Sequence, residues 1–316
     1  RAESIDLPSY FVKKKVGVDI ASYRQLINII KEQAPDVIFL HSSVYIFPAM
    51  RAVRQLSKKI KIVVRETQAN HLKTKKEWLS LCIALLRANM VVFLSRQYRD
   101  TVKKRLPLFF RKSRTTVIPN GIDLKLFAPS SKSSSDVIRI GMQSRLSATK
   151  DHVTLINSFS RCLNNYKNPK KLLLHIAGDG ECKPALQQLA NELGLQHQVI
   201  FLGMLEEKEL PSFINSLDIY VHATLGETMS TAIMQVMACN IPLIASDVLG
   251  VNNMIKDMET GLLVTAKDET KLSQAILQYI DDSTLAAKLA SNAYTFAKEN
   301  YSNKKMLQSY KVIFTS

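Results

Sequence analysis

The stretch Asp218–Gly250, DIYVHATLGETMSTAIMQVMACNIPLIASDVLG, decides the fold. Asp218–Ala223 reads as a buried strand. Gly226 followed by Glu227-Thr228-Met229-Ser230-Thr231 opens an amphipathic helix through Met237, which ends at Cys239-Asn240 before Pro242. A strand whose carboxyl end feeds a helix amino terminus is the repeating unit of an open α/β sheet, and ligands of such sheets lie in the crevice at those strand ends. Orphan N–H groups and the helix dipole suit a phosphate there, and Glu227 adds a carboxylate at the helix start.

Working outward, the same grammar continues. Strands are expected near Val137–Met142, Leu172–Ala177, Val199–Leu202, Pro242–Ala245 and Leu262–Val264. The first half alternates short buried strands at Asp36–His41, Lys61–Arg65, Met90–Ser95 and Thr115–Ile118 with helical patterns at Ala21–Lys31, Phe47–Ser57 and Glu77–Arg87. These patterns predict an α/β chain of two doubly wound, Rossmann-like domains facing each other across a cleft. Only Gly17 precedes Gly121, so the amino-terminal half has no glycine-rich first βα turn. The run Pro129–Asp136, rich in serine, has the look of a linker. The expected domains are residues 1–129, residues 130–296, and a terminal helix over 297–316.

Composition narrows the class. The chain has 316 residues, enough for two domains, and 46% hydrophobic content, enough to fill two cores. No apolar run approaches the roughly 20 residues of a membrane span. Cys82, Cys162, Cys182 and Cys239 lie far apart with no paired spacing, so neither a zinc site nor a disulfide framework is indicated, and a reducing cytoplasm is the default. The chain opens with Arg1 and without a signal-peptide core, the expectation for a fragment or a processed chain. Charge divides it further: Lys+Arg against Asp+Glu is 25 against 9 in residues 1–130 and 18 against 18 in residues 131–316. The two halves therefore meet different partners.

Several segments then line up in one order. Val117-Ile118-Pro119-Asn120-Gly121-Ile122-Asp123 with Phe127 and Pro129, Arg145-Leu146 with Lys150-Asp151-His152, Ala177-Gly178-Asp179-Gly180, Val199-Ile200-Phe201-Leu202-Gly203, and the stretch from Gly226 to Asp247 together resemble the retaining glycosyltransferases of family four, which have the GT-B fold. The resemblance is to members of the bacterial surface-polysaccharide type. It implies transfer of a sugar, of the hexosyltransferase kind, from a UDP- or GDP-linked donor to an acceptor hydroxyl with retained anomeric configuration and no metal. The family usually begins with a strand and a glycine-rich turn that this chain lacks, so its first domain is expected to be incomplete. Leu285–Ile313, with Tyr294, Phe296, Tyr301, Met306 and Tyr310, resembles the family's terminal helix, which braces the first domain.

The resemblance also distributes roles. Arg145 and Lys150 match a cationic pair on the donor pyrophosphate, where charge builds on the β-phosphate as the glycosidic bond breaks. An Arg forks two oxygens and a Lys supplies a compact charge; the alternative is a pair of solvated surface cations. Glu227 matches the first acidic residue of the family's pair, near the donor sugar's hydroxyls, against the alternative of a carboxylate favoured by the helix dipole. Gly226, Thr228, Met229 and Ser230 complete that donor loop. The second acidic position holds Gln235, a departure that leaves one acceptor and one donor group for the ribose. Met204 and Leu205 fall where the base is held. On the acceptor side the family's His is replaced, in Arg65-Glu66-Thr67-Gln68-Ala69-Asn70-His71, by Glu66 or Thr67, with His41 a further candidate.

The segment Arg96–Arg114, RQYRDTVKKRLPLFFRKSR, carries eight cations and one anion around Leu106, Leu108, Phe109 and Phe110. It fits an anionic bilayer surface, and with the resemblance it implies a peripheral enzyme at the cytoplasmic face of the inner membrane, acting on a lipid-linked saccharide. The bland alternative is a solvated basic helix whose Leu-Phe cluster packs into the core. Three other functional readings stand: a nucleotide-sugar-binding module without turnover, another GT-B enzyme such as a phosphorylase or epimerase, and a nucleic-acid binder. The last lacks the interleaved exposed aromatics that such binding uses.

Overall fold

The computed structural model describes residues 8–13, 19–70, 73–131 and 135–316. Gly17, His71 and the middle of the serine-rich run, Lys132 to Ser134, lie outside the described residues. The chain divides into two compact units, one of residues through Ile118 with Tyr310–Ser316, the other Pro119–Ser309. The boundary thus falls at Ile118/Pro119, before the residue-129 break read from the serine run.

In the first unit, β1 (Val37–Leu40), β2 (Lys61–Glu66), β3 (Met90–Phe93) and β4 (Thr115–Val117) form a parallel sheet in that order. Four helices connect and cover the strands: α1 (Ile20–Gln33), α2 (Ile46–Val53), α3 (Lys75–Arg87) and α4 (Arg96–Arg105). Their starts are chemically marked. Asp19 accepts from the backbone of Ala21 and Ser22, and Thr74 with Glu77 makes a reciprocal capping box. Val64, Leu81, Leu85, Val91 and Phe93 are buried in the core, as continuous apolar strands of a two-sided parallel sheet require. Leu106, Phe109 and Phe110 pack against this core, so most of the Leu-Phe cluster is not available to an interface; Leu108 is 91% exposed. The last residues of the chain also belong here: Tyr310 and Phe314 meet the Phe39 ring at 5.0 and 5.3 Å, and Lys61 Nζ donates to the carbonyls of Ile313 and Ser316.

The second unit is a six-stranded parallel sheet. Its strands are β5 (Val137–Gln143), β6 (Lys171–Ala177), β7 (Val199–Gly203), β8 (Ile219–His222), β9 (Leu243–Ser246) and β10 (Leu262–Val264), in the order β10-β9-β8-β5-β6-β7. The chain runs outward from β5 through β6 to β7, then returns to the other side of β5 and continues through β8 to β10. The strand order therefore reverses between β5 and β8. Helices α5 (His152–Asn165), α6 (Lys183–Glu192), α7 (Leu210–Ser216), α8 (Thr231–Ala238), α9 (Glu269–Asp281) and α10 (Ser283–Asn300) clothe the sheet, and α11 (Asn303–Thr315) leaves it.

Three expected helices differ in extent; α2 stops at Val53, short of the expected Ser57, and the other two lie in or beyond the second sheet. α8 begins at Thr231, with Ser230 as its cap, so Glu227 stands in the preceding loop rather than in a first helical turn. Its residues Ile233 to Ala238 are all buried, because α10 covers the face that an amphipathic helix would give to water. The long pattern from Leu285 breaks into α10 and α11 at Tyr301-Ser302. There Ile122 N donates to Tyr301 O at 2.8 Å and Asn303 N donates to Ile122 O at 2.9 Å, so a short parallel bridge replaces helical bonds.

Candidate active site

The reversal between β5 and β8 is where an open α/β sheet splits its loops apart and leaves a crevice at the strand carboxyl ends. Gln143 ends β5 and His222 ends β8. The loops that follow them carry Ser144 to Lys150 and Gly226 to Ser230.

The first loop is held from below. Ser144 N donates to Ala177 O (3.0 Å), Leu146 N to Asp179 O (2.9 Å) and Cys182 N to Leu146 O (3.0 Å). This brings the backbone so close to Gly178, at φ +136°, that a Cβ there would sit 1.9 Å from Ser144 O. Gly178 is thus a requirement of the loop's position. His152 adds the second fixation. Its Nδ1 lies 2.9 Å from Lys150 O, which can only accept, so Nε2 is the acceptor for Ser144 Oγ at 3.0 Å. Burial holds this ring's pKa down at about 4, the Lys150 carbonyl opposing and the Lys150 ammonium assisting.

The second loop is tied to the first and to the turn after β9. Leu225 N and Thr224 Oγ1 both donate to Thr149 O, at 3.0 and 3.1 Å, while Glu227 N donates to Leu249 O at 3.0 Å. Gly250, at φ +86°, lies against this carboxylate's own backbone, and a Cβ there would come within 1.9 Å of Glu227 O.

These constraints bring Lys150 Nζ into an ion pair with Glu227 Oε1, the side chains 19% and 12% exposed. His222 Nε2 reaches the same oxygen at 2.5 Å. Burial alone would raise the Glu227 pKa, but His222 first and Lys150 second outweigh it and hold the group at about 2. It is an acceptor that stays ionised at any ordinary pH.

The other expected residues divide. Arg145 stands exposed on the same loop, and its guanidinium has no partner among the described residues. Gln235 is buried on α8, and its Oε1 accepts from Gln143 Nε2 at 2.5 Å. Gly226 N donates to Thr224 Oγ1 (3.4 Å), Met229 Sδ accepts from Asn120 N (3.4 Å), and Ser230 Oγ accepts from Ile233 N (3.4 Å), so the Gly226 backbone and the Met229 and Ser230 side chains build the loop. Thr228 is half-buried beside them. Met204 is 74% exposed and Leu205 half-buried after β7, beside the Gly178 turn, where Gly178 N donates to Gly203 O at 2.7 Å.

In the first unit His41 and Thr67 meet at the carboxyl ends of β1 and β2, and Glu66 does not join them. Thr67 Oγ1 donates to His41 O at 3.3 Å, and Arg65 reaches His41 Nδ1 at 3.5 Å. Glu66 differs from its expected exposure to an acceptor: it is 0% exposed, turned inward onto Lys73 Nζ at 3.2 Å, and Lys73 is bonded in turn to Gln68 O and Tyr98 OH. Lys73 accounts for this, because an ammonium enclosed there without a counter-ion would carry a large desolvation cost, which the carboxylate offsets. Of the two alternatives only Thr67 keeps a surface.

Sequence reasoning passed over His222, Gln143 and Lys73. Position was the one signal: His222 closes a strand buried throughout and Gln143 closes the buried half of β5, while nothing local marks Lys73. Among the described residues no group of three or more His, Cys, Asp or Glu side chains is arranged to hold a metal, and no helix is long and apolar enough to cross a membrane.

A Rossmann-like parallel sheet with basic and acidic side chains converging at its switch point has them where open α/β sheets take their ligands. The chain belongs to the family of glycosyl transferases group 1, whose model matches residues 126–296, and the glycosyltransferase family 4 model matches residues 2–126. The chain is 25% identical over 236 residues to an uncharacterized glycosyltransferase of Methanocaldococcus jannaschii, covering 72% of this chain and 58% of that protein. It is 23% identical over 286 residues to the Escherichia coli UDP-Gal:alpha-D-GlcNAc-diphosphoundecaprenol alpha-1,3-galactosyltransferase, covering 84% and 72%. Anabaena HepE, crystallised with UDP and glucose, superposes with a TM-score of 0.79 at 21% identity, over 94% of this chain and 81% of its own. That likeness shows the GT-B fold. The chain spans about half the length of the curated relatives it matches.

Proposed function

We propose that this chain is a retaining hexosyltransferase that moves a sugar from a UDP- or GDP-linked donor to a hydroxyl of a lipid-linked saccharide in cell-surface polysaccharide synthesis. The observation that carries the reading is the convergence of Lys150 and His222 on Glu227 at the β5/β8 switch point, with Arg145 unpartnered beside it.

The chemistry follows from charge. As the bond between sugar and β-phosphate breaks, negative charge grows on phosphate oxygens, and fixed cations that meet it there lower the barrier. Arg145, with no internal partner to give up, takes the pyrophosphate as a fork; Lys150 turns from Glu227 to the phosphate as a point charge. Glu227, with a pKa near 2, is too weak a base to shuttle protons and serves as an acceptor for donor-sugar hydroxyls. Gly226, Thr228, Met229 and Ser230 shape the loop around that contact. Gln235 offers its amide to the ribose, Met204 and Leu205 flank the base, and His41 and Thr67 serve the acceptor. No step calls for a metal. The lipid-linked acceptor is supported by the acceptor in the E. coli relative's name and by the exposed cations Lys103, Lys104, Arg105, Arg111 and Lys112 with Leu108, which suit an anionic membrane at its cytoplasmic face.

A nucleotide-sugar-binding module without turnover is the second reading, favoured by Gln235 standing where an acidic residue is expected and being engaged by Gln143. One experiment separates them. Thermal shift with UDP- and GDP-hexoses selects the donor, since a ligand of the folded state raises the apparent Tm by mass action. Transfer of radiolabelled sugar from that donor to a polyprenyl-diphosphate saccharide is then measured. Donor-dependent labelling of the lipid supports the transferase; a Tm rise with no transfer or donor hydrolysis supports the module, and no Tm rise with any donor sinks both.

A further inference from the structure

The two partners of Glu227 are built differently. Lys150 is a half-buried side chain on a loop, with a flexible four-carbon stem. His222 is 1% exposed, sits at the last position of β8 in register with Ala245 of β9, and stacks on Tyr220 with the rings 6.1 Å apart and 17° from parallel. A lysine in that setting can swing to another anion; the imidazole cannot leave. Both donate to Oε1 of Glu227, and the described residues give Oε2 no donor. The other ring nitrogen, Nδ1 of His222, is buried with no hydrogen-bond partner, so the contact to Glu227 is the ring's one polar anchor.

We propose that His222 is a positioning residue for sugar transfer: its Nε2–H holds Glu227 by Oε1, keeps Oε2 turned to the donor sugar, and remains the carboxylate's standing partner when Lys150 moves to the phosphate. The proposal rests on the transferase reading of Glu227 and Lys150. Nothing in the charge pattern of the chain marks His222 for this; its place is set by the strand. The titratable groups that face Glu227 are His222 and Lys150, with Tyr220 behind the first and His152 behind the second.

The test compares His222→Leu with His222→Gln. Glutamine from the same Cα places an amide N–H where Nε2 stood, so it restores the donor without the ring. His222→Leu is expected to lower kcat/KM for the nucleotide sugar by about tenfold or more while the Tm rise with free UDP persists, and His222→Gln to recover most of the loss. Recovery by the amide is the readout that a role in packing alone would not give. Full kcat/KM in His222→Leu overturns the proposal and leaves the transferase reading standing. If wild type shows no donor turnover, the transferase reading fails separately. His222 is then judged by sugar-dependent binding in a cycle of His222→Leu, Glu227→Gln and the double variant, where additive losses overturn the pairing and non-additive losses support it. Should the leucine variant fail to bind UDP, the glutamine variant decides alone: wild-type behaviour supports the hydrogen bond, and a tenfold loss overturns it.

Discussion

Acidification should loosen the second unit through one ring. His152 opens α5, is buried, and bridges Lys150 O and Ser144 Oγ at 2.9 and 3.0 Å, so it holds both ends of the loop that carries Arg145. Burial is the largest influence on it and lowers its pKa from the ordinary 6.5 to about 4. The sign follows from proton uptake. The unfolded chain gains a proton near pH 6.5 and the folded chain only near pH 4, so between those values the unfolded state binds more protons and stability falls as pH falls. At about 1.36 kcal/mol per pH unit over that interval, the loss reaches about 3 kcal/mol by pH 4, a large share of a typical domain's stability. Above pH 6.5 this group has no effect. The assay is urea unfolding followed by circular dichroism at several pH values between 7.5 and 4, for wild type and His152→Asn, whose amide keeps the bond to Lys150 O but takes up no proton. The variant should start less stable and show a shallower acid slope. Parallel curves for the two proteins would refute the argument and assign the acid response to other groups.

On the proposed function, in which Arg145 and Lys150 meet the departing phosphate, Arg145→Ala and Lys150→Ala should each lower kcat/KM by roughly tenfold or more with the fold intact; unchanged values in both would remove these roles. Gln235→Ala should raise donor KM with little change in kcat, by a factor matching a neutral hydrogen bond of roughly 0.5–1.5 kcal/mol, whereas a collapse of kcat at constant KM would place Gln235 at the reacting centre. Gly250→Ala adds a Cβ 1.9 Å from Glu227 O at a left-handed φ of +86°, so the loop carrying Glu227 must shift; on the proposed function, reduced affinity in calorimetry for the nucleotide sugar selected by thermal shift is expected, and wild-type affinity would contradict it. Vesicle co-sedimentation should rise with anionic lipid and fall with salt for wild type, and be lost when Lys103, Lys104 and Arg105 are all replaced by Glu; equal binding by both proteins would leave a soluble acceptor as the better reading.

The strands were legible because a parallel sheet buried on both faces writes itself as short apolar runs: every expected strand appears, from Val37–Leu40 to Leu262–Val264, displaced by a residue or two at its ends. Helix limits were less legible where tertiary contacts decide them. Nothing local forbids a helix through Tyr301-Ser302; it ends because Ile122, far away in sequence, takes the backbone groups there. Likewise the start of α8 is set by Ser230, the residue whose side chain actually caps it, and the earlier polar residues Glu227 and Thr228 belong to the loop. The same ambiguity hides Glu66. Its carboxylate turns inward because Lys73 waits there, and that pairing joins residues on either side of the β2–α3 loop that no periodicity connects.

The candidate site shows the same division in a sharper form. Residues carried by ordered motifs, such as Lys150 and Glu227, could be found because the motif fixes their place relative to a strand and a helix. His222 and Gln143 could not, since each fills the last position of a strand, where a polar residue is ordinarily taken as the end of burial. Both are instead buried, His222 against Glu227 and Gln143 against Gln235. Burying a polar group without a partner costs more than a hydrogen bond returns, so a polar residue retained at such a position needs a partner across the crevice. In an open sheet that partner comes from the loop or helix after the neighbouring strand, which at the β5/β8 reversal means the ligand side. The oddity of Gln235 and the inconspicuousness of Gln143 are then one fact: an amide on α8 is satisfied by an amide on β5, where a carboxylate at residue 235 would need a donor in the same place and Gln143 supplies one. On that ground Gln235→Glu should be tolerated, and loss of the donor-induced Tm rise in that variant would show that the pair is tuned to two neutral amides.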